Sequence, residues 1–265
     1  MKVIIAGAAG RMGQELIKYA FTCEDIKVIG ATEYEKSPWI GKDIGDLINE
    51  KRLGIKINSS LIDIIKGADA VIDFTNPQST IENSVIAAQA RISHIIGTTG
   101  FSDKDQLKIE HASRHAVIVQ SGNMSLGINI LAKVTKQISK VLKDFDIEIV
   151  EAHHNKKIDA PSGTALLLGK SAAAGRNIDL TNHAEYERFG NIGERKAESI
   201  GFSVIRGGNI VGEHTVMFAG DSETIKLSHS AMNRKIFVRG AYHAARWSIN
   251  QKPGLYSMDD VLDFD

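Results

Sequence analysis

The densest chemistry in the sequence lies in one segment, Glu151-Ala152-His153-His154-Asn155-Lys156-Lys157-Ile158-Asp159-Ala160-Pro161-Ser162-Gly163-Thr164. Two histidines and two lysines fall within five residues. The run before them, 146–153, reads as a strand, and Ser162 reads as the N-cap of a following helix. Cations beside a helix N-terminus, with backbone N–H groups at Gly163 and Thr164, make a holder for carboxylates. A histidine and a lysine at such a place can also donate protons. The plain alternative is a solvated basic loop ahead of a capped helix. No metal is expected. His153 and His154 are neighbours in an extended strand and point to opposite faces, so they do not easily share an ion. His94, His111, His115, His183, His214, His229 and His243 are scattered and read as structural or surface residues.

A second group opens the chain, Gly7-Ala8-Ala9-Gly10-Arg11-Met12-Gly13. A glycine turn between a strand and a helix lets a pyrophosphate approach the backbone and rest on the helix N-terminus. The spacing is G-x-x-G-x-x-G rather than the strict G-x-G-x-x-G, so its context carries the reading. It follows the first strand, and Glu33 ends the next one, twenty residues after Gly13, where a carboxylate takes the ribose hydroxyls. Two more loops, Phe74-Thr75-Asn76-Pro77 and Gly97-Thr98-Thr99-Gly100, stand at the ends of later strands. In an open α/β sheet such loops line the ligand cleft.

The elements that must position these groups follow from the pattern. Strands are expected at 2–6, 27–32, 68–74, 93–96 and 116–120. Helices are expected at 14–21, 61–66, 77–90 and 103–113. Residues 34–60 read as a loop with a short helix. Strands alternating with helices mean a parallel sheet with crossovers. After Asn123 the pattern changes. A long helix over 126–142 carries Leu126, Ile130, Val134, Ile138 and Val141 as its apolar row. Strands at 200–206, 212–219 and 223–230 are joined by glycine turns and read as an antiparallel meander. The tail returns to helix over 240–250. The fold class is therefore α/β, a Rossmann-type parallel sheet plus a second α+β domain with a mainly antiparallel sheet. The dinucleotide-binding domain is expected at 1–124 and 235–265, and the substrate domain at 125–234.

Composition excludes other classes. Lys+Arg and Asp+Glu are equal at 32 each, so no basic excess supports nucleic-acid binding. No apolar stretch approaches the roughly 20 residues of a membrane span. Cys23 is the single cysteine, which fits a reducing compartment, and it reads as a small buried apolar residue. The N-terminal apolar run is too short for a signal segment.

Taken together, the glycine motif, Asp73-Phe74-Thr75, Gly97-Thr98-Thr99-Gly100-Phe101, Gly212-Glu213-His214-Thr215 and above all the Glu151–Thr164 segment running on to Ala165 resemble the 4-hydroxy-tetrahydrodipicolinate reductase family of lysine and diaminopimelate biosynthesis. The resemblance spans the chain. It implies a cytoplasmic oxidoreductase that uses NADH or NADPH on a small dicarboxylate and assembles as a homotetramer through the second domain. It implies a cofactor site of Gly7, Ala8, Ala9, Gly10, Arg11, Met12, Glu33, Gly97, Thr98, Thr99, Ser121, Gly122, Asn123 and Met124. It implies His153 as proton donor and acceptor, Lys157 as second proton donor, and His154, Gly163 and Thr164 as holders of the substrate carboxylates. Two positions depart from the family pattern. Tyr34 stands where many members carry an arginine suited to the 2′-phosphate of NADPH, and Ala9-Gly10 replaces two glycines. NADH is thus expected to serve at least as well as NADPH, with Arg11 or Lys36 as substitute cations. The rival readings are another two-domain dehydrogenase for a small carboxylate and a non-enzymatic NADH sensor.

Overall fold

A computed structural model describes residues 1–263. It divides into two compact units, Met1–Ser125 together with the chain from Lys235 onward, and Leu126–Arg234. Residues 264–265 of the expected first domain lie outside the described residues, and the first unit runs one residue past the expected boundary, to Ser125.

In chain order the first unit builds β1 (Lys2–Ala6), α1 (Arg11–Ala20), β2 (Lys27–Thr32), α2 (Ile44–Ile48), β3 (Ile57–Asn58), β4 (Ala70–Asp73), α3 (Pro77–Ala90), β5 (Ser93–Ile96), α4 (Asp103–Ser113) and β6 (Val117–Gln120). These strands lie in the order β6-β5-β4-β1-β2-β3, and every pairing is parallel. Both faces are covered, so the strands are continuous apolar runs; β4 is buried at all its positions. The order turns back between β1 and β4, which opens a crevice beyond their carboxyl ends. Asn76 caps α3 ahead of Pro77, and Ser102 with Asp105 forms a capping box on α4.

Two expectations change here. Helix α1 starts at Arg11 rather than at residue 14, with Gly10 as its N-cap and Gln14 N–H bonded to Gly10 O; a side chain at Gly13 would collide with the Gly7 carbonyl and Ala8. The glycine thus belongs to the first helical turn. Residues 61–66 form turns, not a helix. Ile64 N–H bonds to Leu61 O and Ala68 N–H to Ile65 O, three-residue spacings that seat Leu61 and Ile65 in the core under β1 and β4.

The second unit builds α5 (Leu126–Val141), β7 (Asp146–His153), α6 (Gly163–Arg176), α7 (Leu180–His183), β8 (Ala184–Glu185), β9 (Ile200–Arg206), β10 (Glu213–Ala219) and β11 (Thr224–Ser230). Its sheet runs β11-β10-β7-β9-β8. The larger part of its pairing is antiparallel, through β10 with β11 and β7; β7–β9 and β9–β8 are parallel. The expected meander therefore holds only for β10 and β11. Strand β9 does not pair with β10, because the loop between them closes over the end of β7. Gly207 N–H donates to His153 O, and Asn155 N–H donates to Gly208 O.

Helices α5 and α6 cover one face of this sheet. The most buried residues of α5 include Ile128, Leu131, Ala132, Thr135 and Ser139; of the expected row, Ile138 packs against this core, and Leu126 and Val134 are half-buried. Ile130 and Val141 are exposed. Small side chains win because the two helices approach closely: Ser139 Oγ donates to Ala172 O at 2.7 Å, and a side chain at Gly175 would strike the Lys136 carbonyl.

The chain then returns to the first unit as α8 (Lys235–Ser248), β12 (Gly254–Tyr256) and α9 (Met258–Leu262). The helix begins five residues before the expected Gly240. That glycine sits inside it because a side chain would meet the Met124 carbonyl. Strand β12 adds to β6 in parallel, making seven strands, and Tyr242, fully buried, donates its hydroxyl to Leu16 O at 2.9 Å.

Candidate active site

In the first unit the crevice holds a cavity of about 500 Å³. Gly7, Gly10, Glu33 and Tyr34 line it, with Thr75 and Asn76 opposite. Gly7 has φ +70°, a conformation that favours glycine. Gly10 is the N-cap of α1 and has no side chain to cap it, so the first-turn N–H groups remain available for an anion. These features fit a dinucleotide: a tight turn, a bare helix N-terminus and an acidic residue at the strand end. Glu33 also reaches back to the turn, accepting from Ala9 N–H at 2.7 Å. Ala8 is buried; Arg11 and Met12 begin the helix.

The other expected cofactor residues sit in two adjoining loops and do not line this cavity. Ser121 N–H bonds to Ile96 O, and a side chain at Gly122 would lie 3.7 Å from Thr99, so the loops after β5 and β6 touch. Thr99 is exposed, but Thr98 and Met124 are buried. Thr98 turns its hydroxyl inward, so only its backbone can face a ligand. Asn123 Oδ1 accepts from Ser125 N–H at 2.8 Å, which folds that loop on itself.

The second unit places its site where the inner face of the sheet changes from apolar to ionisable. Ile147 and Ile149 on β7 are followed on the same face by Glu151 and His153. Val216 and Phe218 on β10 are preceded by His214, and Ile225 and Leu227 on β11 are followed by His229. Glu151 is 1% exposed and has four donors. His153 Nδ1 lies 2.6 Å from Oε2, Arg206 makes a two-pronged bond at 2.8 Å to each oxygen, and Ser162 N–H donates to Oε1 at 2.9 Å. Burial works to raise its pKa, but Arg206, His153 and Ser162 outweigh that and hold it below the usual range. A carboxylate only accepts, so Nδ1 of His153 carries a proton and Nε2 is the working nitrogen. A methyl at Gly212 would come within 3.1 Å of Nε2; the glycine keeps that atom accessible.

His214 stands edge-on to His153, with ring centroids 5.1 Å apart. Burial, then the neighbouring His153, pushes its pKa down to about 4, so it is neutral at ordinary pH. Its Nε2 pairs with the Ser162 hydroxyl at 3.0 Å. That hydroxyl also accepts from Ala165 N–H and caps α6, as expected from the sequence. Gly163 opens the helix, and a side chain there would meet nothing within 4 Å, so the helix N-terminus has open space beside it. His154 holds its backbone to Ile210 O, while its Nδ1 is buried without a protein partner. Lys157 lies within the same turn, its Nζ bonded to both oxygens of Asp159 at 2.7 and 2.9 Å.

The structure thus brings His153, His154, Lys157, Gly163 and Thr164 to one end of this unit. Three further residues shape the site. Glu151 could have been found from the sequence, since it precedes His153 by two on a strand and so shares its face. Arg206 and His214 could not, because they arrive through strand register alone, Arg206 opposite His153 and His214 opposite Glu151. His214, expected to be structural or surface, is buried beside His153 and bonded to Ser162. Among the described residues no cluster of His, Cys, Asp or Glu could hold a metal ion, and no helix is long and apolar enough to cross a membrane.

Comparison with known proteins agrees with this geometry. Residues 1–124 match the family model described as Dihydrodipicolinate reductase, N-terminus, and residues 127–262 match Dihydrodipicolinate reductase, C-terminus. The chain is 52% identical over 264 residues to 4-hydroxy-tetrahydrodipicolinate reductase 1 of Mesorhizobium japonicum, covering 99% of this chain and 97% of that protein. It is 51% identical over 263 residues to the 4-hydroxy-tetrahydrodipicolinate reductase of Rhodopseudomonas palustris, with 99% and 97% covered. Among solved structures, a dipicolinate-bound dihydrodipicolinate reductase from Paenisporosarcina sp. TG-14 shares the fold, with a TM-score of 0.78 at 21% identity and 97% of each chain covered.

Proposed function

Because the chain belongs to the dihydrodipicolinate reductase family, we propose that it reduces 4-hydroxy-tetrahydrodipicolinate to tetrahydrodipicolinate in the diaminopimelate route to lysine. One hydride and one proton are consumed, a carbon–oxygen bond breaks, a carbon–hydrogen bond forms, and the hydroxyl leaves as water. The observation that carries the reading is the Glu151–His153 pair, locked by Arg206 beside the open N-terminus of α6.

The chain's residues divide the work. When bound, the dihydronicotinamide supplies the hydride. Gly7, Ala8, Ala9, Gly10, Arg11 and Met12 hold the dinucleotide phosphates at the N-terminus of α1, and Glu33 takes the ribose. Gly97, Thr98 and Thr99, with Ser121, Gly122, Asn123 and Met124, in the two adjoining loops outside the cavity, hold the rest of the cofactor. His154, Gly163 and Thr164 hold the substrate carboxylates. His153 moves the proton through Nε2, while Glu151 stabilises the imidazolium on the opposite side. Lys157 is the second proton donor.

We infer further that NADH serves at least as well as NADPH. Glu33, Glu35 and Glu82 line the cavity, and its lining contains no lysine or arginine. A ribose hydroxyl suits that surface, whereas a 2′-phosphate meets like charge. Arg11 and Lys36 are the candidates for a substitute cation. The enzyme is proposed to be cytoplasmic and homotetrameric. Val204, Ile205 and Val211, exposed on the second unit, are apolar surface that such an assembly would cover.

The test is a coupled assay. Fresh substrate is made in place by its synthase, and loss of NADH absorbance is followed. Oxidation that requires both the substrate and His153 is the expected result. Protein that binds NADH but oxidises none with this substrate overturns the reading.

A further inference from the structure

The most heavily bonded group in the first unit is a carboxylate that no step of the proposed reaction uses. Asp73 ends β4 beside the point where the strand order turns back, and it is 0% exposed. Its Oδ1 accepts from Thr75 N–H at 2.9 Å and from the Thr75 hydroxyl at 2.6 Å. Thr80 lies 3.2 Å from the same oxygen and 2.9 Å from the Thr98 hydroxyl, which is itself 3.4 Å from Asp73. On the other oxygen, Asn83 Nδ2 donates at 2.8 Å and His94 Nε2 lies at 3.3 Å. His94 is fully buried and rests on the Ser84 hydroxyl through Nδ1 at 3.1 Å.

These partners come from separate elements around the cofactor crevice: Thr75 and Thr98 from the loops after β4 and β5, Thr80 and Asn83 from α3, and His94 from β5. Thr75 and Asn83 line its cavity, and Thr98 belongs to the loop after β5. The glycine turn is reached too. With the Thr75 hydroxyl turned to Asp73, its methyl points at Gly7, where a side chain would come within 2.8 Å of it. One anion therefore sets the threonine rotamer that the glycine turn packs on, and it anchors the two loops that follow. A carboxylate suits this place because it accepts at several lone pairs at once and donates at none. Hydrogen bonds to an ionised group are also the stronger kind.

We propose that Asp73 is a positioning residue for the dinucleotide, holding the Gly7, Thr75 and Thr98 loops in one arrangement through Thr75 and Thr80. This rests on the reading of the first unit as the cofactor site. It predicts that loosening the network weakens cofactor binding and spares the other substrate.

The experiment measures NADH dissociation by fluorescence, without turnover, alongside steady-state kinetics. Three variants of the full chain are compared, Asp73→Ala, Thr80→Val and Thr80→Ser. Asp73→Ala is expected to weaken NADH binding about tenfold. Thr80→Val keeps the volume and loses the link to Thr98; it is expected to weaken binding about threefold, and it serves if Asp73→Ala does not fold. Thr80→Ser keeps the hydroxyl and restores binding to within about twofold of the parent. The KM for the dicarboxylate, and kcat at saturating NADH, stay within about twofold throughout. Unchanged NADH affinity in Thr80→Val and Asp73→Ala overturns the inference while leaving the cofactor site intact, as does a KM for the dicarboxylate that moves in step. If the parent protein binds neither NADH nor NADPH, the cofactor reading itself falls.

Discussion

Replacing Glu151 with glutamine tests the centre of the proposed site. The carboxylate accepts four hydrogen bonds from three residues: two from Arg206, one from His153 and one from Ser162. An amide offers one accepting oxygen, so whichever way it turns, two donors face an N–H group. Each orphaned buried donor costs about 1–3 kcal/mol, and partial rearrangement puts the net loss near 3 kcal/mol, in the range for breaking a buried ion pair. Catalysis suffers separately. Without the carboxylate the His153 ring loses the partner that fixes its tautomer, and a fall of about 10²–10³ in kcat is expected, within the range for general acid–base catalysis. Urea unfolding and steady-state kinetics read the two effects. The decisive variant is Glu151→Gln combined with His153→Gln. If Glu151 acts through His153, the double variant turns over no more slowly than His153→Gln alone. A further hundredfold loss in the double variant would show that Glu151 has a role of its own, and the reasoning fails.

Other perturbations follow from the same geometry. Tyr34→Arg places a cation beside Glu33 in the cavity, and the ratio of kcat/KM for NADPH to that for NADH should rise about tenfold; an unchanged ratio would place the ribose elsewhere. His153→Gln and Lys157→Gln should each lower kcat by about 10²–10⁴ with NADH affinity nearly unmoved, and collapse of NADH binding in either would contradict the assigned role. Burial alone would raise the pKa of Asp73, but His94, Asn83 and Thr75 hold it down to about 2, against an ordinary 3.8. Its depressed value means stability that is present above about pH 4 and lost as pH falls toward about 2, worth about 2 kcal/mol. The gap in unfolding free energy between the parent and Asp73→Asn should therefore narrow by about that amount from pH 5 to pH 2, and parallel curves would refute it.

Much of this was legible in the sequence because it is local. The glycine turn, the N-cap at Ser162 and the acidic residue at Glu33 are each set by neighbours within a few positions. The alternation of strands and helices in the first unit follows from burial on both faces. What escaped depends on distant pairing. Of the expected row on α5, Ile138 packs on the core while Ile130 and Val141 face out, and close approach to α6 selects Thr135 and Ser139 between the helices. The place of β9 beside β7 was hidden because the 207–212 loop closes on another strand rather than on itself. Arg206 reaches the site through that register and His214 through β10 on the other side of β7, and Asp73 gathers partners as far away as Thr98.

The return of the chain into its first unit has a consequence for synthesis. Residues 1–125 leave the ribosome first, but β6 lacks its outer neighbour β12, and α1 lacks the α8 helix that packs on it, until residues beyond Lys235 appear. At roughly 5–20 residues per second, the intervening stretch of about 110 residues takes about 5–20 s to make. During that interval a nascent parallel sheet carries an open edge, a template for pairing with other chains. The contiguous second unit can complete its own core in the meantime. The unit proposed to hold the cofactor is therefore the last to close, and loss of the final thirty or so residues would cripple the first 125 residues of the protein.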